Sequence, residues 1–226
     1  MTGKIQPADV VTAGECVADA LQAGIDLDWS VRAGNLDWTV DQTISHLTAA
    51  PVKYSLYLAS RSPDFIAVTI ASWPDATKTE RIDAIRSVAH ALANIAAATP
   101  PDVRACHSSG MLDAEGFVAL GCLELLVHGH DICAGLGLPL EPSSDLAERL
   151  VARLVPWLVE DDAPSWRKIL WHTGRIDIPG RAHSDEMWRA VAIPLSEWDG
   201  SIPRRDPRPV VGWVRGAGGW EPRYAE

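Results

Sequence analysis

The sequence predicts an all-α protein built on a helical bundle, and three observations carry that expectation. Four long windows place apolar residues at helical spacing. The connections between them are of moderate length, as in a four-helix bundle. The stretch from Asp113 to Gly135 is apolar on almost every side, so it belongs inside a helical protein rather than on its surface.

Taken in order, the first helix covers Pro7 to about Ile25, with Val10, Val11, Val17 and Leu21 on its apolar stripe. A linker follows that contains an echo, Asp28-Trp29-Ser30-Val31 and Asp37-Trp38-Thr39-Val40; two such echoes do not make a repeat protein. The second helix runs from Val40 to about Ser60. Thr39 is its N-cap, Gln42 completes a capping box, and Pro51 is a candidate kink. Phe65 to Ile70 is a short strand or an extended connector. The third helix spans Thr79 to Ala98, with Ile82, Ile85, Leu92 and Ile95 on a buried face, and Thr99-Pro100-Pro101 ends it. After a loop from Asp102 to Leu112 comes the apolar fourth helix, stopped by Gly135 or Gly137. A fifth covers Ser144 to Leu158, carrying Leu146, Leu150, Leu154 and Trp157. From Ala163 onward, apolar runs at Arg175 to Gly180 and Val210 to Val214 read as turns and short strands. The expected organisation is a helical bundle over residues 1–160 and a small irregular α/β extension over 161–226 packed on it.

Of the 226 residues, 20 are Lys or Arg and 30 are Asp or Glu, a net charge of −10 that argues against binding to a phosphate backbone. No uninterrupted apolar run approaches the roughly 20 residues of a membrane span, and the N-terminus lacks a signal-peptide core. The expectation is a cytoplasmic protein with no nucleic-acid or membrane partner. Cys16, Cys106, Cys122 and Cys133 form no Cys-x-x-Cys pair and read as small buried hydrophobes. Cys106-His107 is a poor nucleophile–base pair, because adjacent residues rarely face each other and no orienting acid is evident. No Gly-rich phosphate loop follows a strand, so nucleotide binding has no support.

The chemistry concentrates on the fourth helix. Glu124, His128 and Asp131 share one face of an otherwise apolar rod. Burying a carboxylate and an imidazole costs several kcal/mol unless each is paired or metal-bound. Glu-x-x-x-His lets two side chains hold one ion from adjacent turns, and His46 on the second helix supplies a third donor. Three protein donors with an open position make a catalytic rather than a structural zinc-type site. Asp131 is a candidate acceptor for a ligand imidazole, and His130 points to a different side of the helix.

The segment Trp38 to Leu47 resembles the Trp-x-Val-x-x-x-x-x-His-Leu opening of the DinB-like superfamily, and Glu124 to Asp131 resembles its Glu-x-x-x-His-x-x-Asp segment. The chain is most similar to the mycothiol-dependent maleylpyruvate isomerase-like branch. Leu170 to Arg175 and Pro194 to Gly200 resemble tails of small proteins in that group, although no long C-terminal domain is present. The resemblance implies a DinB-like four-helix bundle with one divalent metal, zinc first and nickel in some members, on His46, Glu124 and His128. It implies mycothiol or a similar small thiol as cosubstrate and a small electrophilic substrate. Arg175, Arg204 and Arg205 are candidates for holding carboxylates of the thiol or substrate. The leading expectation is thus a metal- and thiol-dependent transferase or isomerase, with no catalytic side chain assigned. The alternatives are a non-catalytic metal- or small-molecule-binding stress protein and a metal-dependent hydrolase. Dimerisation through helix faces is compatible with such a bundle.

Overall fold

A computed structural model describes residues 3–182, 184 and 188–225. Those residues are mostly helical, with six α-helices and two small two-stranded sheets. Four long helices, α1 (Pro7–Ala23), α2 (Val40–Ser60), α3 (Lys78–Ala97) and α4 (Ala114–Leu136), pack around one core. α1 and α2 each pack against both α3 and α4.

Local caps set these helices where the sequence indicates. Thr39 accepts from Gln42 N while the Gln42 side chain accepts from Thr39 N, closing the capping box at the start of α2. Asp113 caps α4 by accepting from Gly116 N at 2.8 Å. Gly137, at φ 70°, ends α4 in the left-handed conformation that glycine adopts without strain. α2 continues as helix through Pro51. By length and composition α4 would be able to cross a membrane, but 72% of its most apolar window is buried inside the protein. The neighbouring helices cover that apolar surface. Cys106, Cys122 and Cys133 are buried, and all four cysteines are free.

Three elements differ from the expectation. The fifth helix, α5 (Ser144–Leu154), stops four residues early, and Pro156–Leu158 forms a 3-10 turn. Pro156 has no N–H to continue the ladder, and its ring opposes the preceding turn. The loop after α3 contains a small hairpin, β1 (Ala105–His107) with β2 (Gly110–Leu112), turning where Gly110 sits at φ 139°. The segment after residue 163 holds a further helix, α6 (Ser165–His172), which buries Trp166, Ile169 and Leu170. In the tail, Val210 to Val214 lies within a strand, β3 (Val210–Gly216), paired with β4 (Gly219–Tyr224), whereas 175–180 is turn and coil. Residues 65–70 form an extended connector without strand pairing of their own.

The C-terminal part is fastened to the bundle at defined points. Arg153, 3% exposed, donates to the carbonyls of Val191 (2.9 Å) and Ala192 (3.1 Å) and meets Asp113 at 3.2 Å. Trp213 donates its indole N–H to His107 O at 2.8 Å, joining β3 to β1. Asp64 bridges to Gly212 and pairs with Arg223, holding β3 and β4 at the end of α2.

Candidate metal centre

The structure brings together the three donors expected from sequence. His46 Nε2 lies 3.5 Å and His128 Nε2 3.4 Å from the same oxygen, Glu124 Oε2. The three donor atoms all fall within 4.8 Å of one another, and the two imidazoles meet edge to face, 4.9 Å between centroids. Bonds of about 2.0–2.2 Å to a tetrahedral ion put neighbouring donor atoms about 3.3–3.6 Å apart. The two histidine–Glu124 separations match that spacing, and the three residues could hold one divalent ion. The cluster is not closed: the His46 side chain is 41% exposed and His128 only 14%, so access is from the α2 side.

The two helices are placed by close packing. A Cβ on Gly129, beside His128, would sit 2.6 Å from a Val17 methyl, so α4 approaches α1 there only because the side chain is missing. Less than two turns further on, in the last turn of α4, Gly135 lets the Arg32–Ala33 backbone of the α1–α2 linker lie directly on the helix. That linker is where the sequence echo has its explanation. Val40 N donates to Val31 O (2.9 Å) and Asp41 N to Trp29 O (3.2 Å), so the two four-residue segments face each other antiparallel. Trp29 is buried, and its indole N–H reaches Gly24 O at 3.1 Å. Trp38 turns outward over the donors, its ring centroid 5.1 Å from His46 and 6.4 Å from His128.

A second layer of contacts orients the donors. Asp131, at 4% side-chain exposure, places Oδ2 3.1 Å from His128 Nδ1. A proton on Nδ1, donated to that carboxylate, leaves the Nε2 lone pair directed at the cluster. Arg175 in turn holds both Asp131 oxygens, through Nε at 3.2 Å and Nη2 at 2.9 Å, and donates Nη1 to Thr173 O at 2.7 Å. The guanidinium is thus engaged with the chain itself. On the far side of the cluster, the Tyr54 hydroxyl donates to Glu124 Oε1 at 3.2 Å, which turns Oε2 toward both histidines. Tyr54 packs on Phe117 and His107, with centroids 5.6 and 5.5 Å away.

These contacts set the charges. Burial opposes ionisation of Glu124, but hydrogen bonds from His128 and His46 outweigh it and hold the carboxyl well below its usual range. Burial likewise works against a charged His128, yet hydrogen bonds to Asp131 and Glu124, with their charges, raise it to about 9. The metal-free centre therefore carries a proton at His128 at neutral pH. Metal uptake displaces it, so apparent affinity rises about tenfold per pH unit from neutrality up to about pH 9 and then levels off. In the metal-free protein the sign is the opposite. Its raised histidine contributes stability below about pH 6.5, and that contribution is lost as pH climbs through about 9. Competition titrations against a chelator and metal-free denaturation between pH 6.5 and 9.5 check both slopes.

Arg204 and Arg205 stand away from Asp131, on the wall of a separate cavity lined also by Arg189. His130 packs against Trp166 of α6, with ring centroids 6.1 Å apart. Burial pushes the Cys106 thiol up to about 12, which keeps it protonated at neutral pH. Sequence reasoning did not find Tyr54 or assign Trp38 a place at the donors; Tyr54 lies two turns beyond His46, within the reach of α4. Comparison with protein-family models, with curated proteins and with solved structures finds no match for the chain.

Proposed function

We propose that the protein is a divalent-metal-dependent enzyme that uses a low-molecular-weight thiol of the mycothiol type as a transferase or isomerase on a small electrophilic substrate. In this reading the four long helices are a DinB-like bundle. The arrangement of His46, Glu124 and His128 carries it: three donors at metal-bonding separation, reached from solvent on one side. Zinc is the first candidate ion and nickel the second. His46, Glu124 and His128 would hold the ion, which would supply Lewis acidity and lower the pKa of a thiol or water at the open side.

The chain's own groups do the rest. Glu124 offers a full negative charge, since its carboxyl stays ionised. Asp131 fixes the His128 tautomer, and Arg175 fixes Asp131. The Trp38 indole covers one side of His46 and shields that side of the site from bulk water.

The test is elemental analysis of the untagged protein beside His128→Ala, followed by calorimetric titration with mycothiol before and after chelation. The expected result is near-stoichiometric metal that is lost in the variant, and thiol binding that requires the metal. Absence of metal after reconstitution would overturn the reading in favour of a non-catalytic binding protein. Metal without thiol affinity would replace it with metal-dependent hydrolysis.

A further inference from the structure

Two arginines take no part in the metal centre and have no carboxylate partner among the described residues. Arg189 and Arg205 line a cavity of about 580 Å³ between the β1–β2 turn and the β3–β4 hairpin. An antiparallel bridge between Trp188 and Arg204 ties their two segments together, and each arginine lies one residue beyond that bridge. His172 Nε2 sits 3.2 Å from Arg189 O and holds that backbone in place. Arg189 is half-buried. Its proton affinity is lowered first by burial and then by the charge of Arg205.

Among the described residues neither arginine has a carboxylate partner. The acid in the described wall, Asp206, is already committed: Arg208 reaches it at 2.7 and 3.0 Å, and the Tyr224 hydroxyl at 2.8 Å. Arg208 also lies over the Tyr224 ring, 3.8 Å from its centroid, which fixes it as part of the wall. In a chain with 30 acidic residues and a net charge of −10, two arginines on one cavity wall with no acid partner among the described residues are not a consequence of composition. Arg205 is exposed, so the cost falls on the half-buried Arg189 beside it, and a bound anion offsets that cost through charge-assisted hydrogen bonds.

The cavity also lies beside the groups that back the metal centre, because its Ser108 follows His107 in the β1–β2 turn. The Arg189 charge acts on both Tyr54 and His107. Those two rings pack on each other, and Tyr54 bonds to Glu124.

We propose that Arg189 and Arg205 form an anion subsite that binds a doubly charged group of a small substrate, a phosphate monoester or a pair of carboxylates. Two guanidinium groups on one cavity wall match two negative charges, and their planar forks suit paired oxygen acceptors. This deepens the reading of the metal centre, because the substrate would lie with its charged end in the cavity and its reactive end toward the donors. The subsite's own chemistry does not depend on the metal, which makes the two separable.

The experiment titrates inorganic phosphate and, separately, malonate into chelator-treated full-length protein, following heat and melting temperature. Arg189→Gln, Arg205→Gln and, as a control for bulk charge, Arg215→Gln are titrated alongside. Expected is binding of at least one dianion that weakens with added salt. Each of the first two substitutions lowers its affinity about tenfold or more, and the control leaves it unchanged. Preference for phosphate identifies a phosphorylated substrate, and preference for malonate a dicarboxylate; either supports the subsite. No binding of either anion, or equal binding by all three variants and the parent, overturns it. Zinc loading of Arg189→Gln is measured separately and stays stoichiometric. A protein that binds the dianion but never metal would keep the subsite and sink the metal reading alone.

Discussion

Replacing Asp131 with Asn lowers metal affinity by about 10- to 100-fold and destabilises the metal-free fold by about 3–5 kcal/mol. The two effects come from the two partners of one carboxylate. Toward His128, the amide no longer enforces a proton on Nδ1, so Nε2 is presented as a lone pair only part of the time. Toward Arg175, the substitution leaves a guanidinium with 16% side-chain exposure facing a neutral group at 4%. Asn has nearly the volume of Asp, so loss of packing contributes little. Competition with a chromophoric zinc chelator reads the first effect, and denaturant melts of metal-free protein read the second. The double variant Asp131→Asn/Arg175→Gln separates them: it recovers most of the stability and none of the affinity. An affinity within twofold of the parent in the single variant would show that Asp131 does not orient His128.

Phe117→Ala destabilises the protein by about 3–5 kcal/mol, because an aromatic side chain with 0% exposure leaves a cavity that the close-packed bundle closes only in part. For a chain of this size that lowers the melting temperature by about 6–20 °C. The site feels it as well. Phe117 backs Tyr54 at 5.6 Å and His107 at 6.2 Å, and Tyr54 aims Glu124. Metal affinity therefore falls together with stability in the alanine variant. Phe117→Leu refills much of the volume and returns most of both. Trp73→Ala, at a position 79% exposed, changes stability by no more than about 0.5 kcal/mol and serves as the contrast. Loss of stability without loss of metal in Phe117→Ala would remove Tyr54 from the donor arrangement.

Much of this architecture follows from neighbouring residues and was readable in order. Thr39 with Gln42 begins α2 and Asp113 begins α4, each by a bond to a residue three positions on. Gly137 ends α4 by its own conformation. Glu124, His128 and Asp131 share a face through helical spacing alone, and the His128–Asp131 contact is an i,i+3 pair. Where sequence and structure part, a local rule outweighs helical periodicity or the deciding contact is distant. Pro156 terminates α5 at Leu154, as proline geometry requires. The spacing of Trp166, Ile169 and Leu170 marks α6, but in a Pro- and Gly-rich tail a two-turn helix is sustained by packing against α5 rather than by its own propensity.

By itself, then, the sequence determined the four long helices, the capping box of α2, the buried character of α4 and the residue types that can hold a metal. Only the tertiary structure decided which partners those residues have. Tyr54 reaches Glu124 across 70 positions, Arg175 reaches Asp131 across 44, and a Trp188–Arg204 bridge between tail segments sets Arg189 and Arg205 on one cavity wall. Helical periodicity assigns a side chain to a face within a few residues. What that face meets is fixed by chain reversals and close approaches such as those at Gly129 and Gly135, which bring together groups that no local spacing relates.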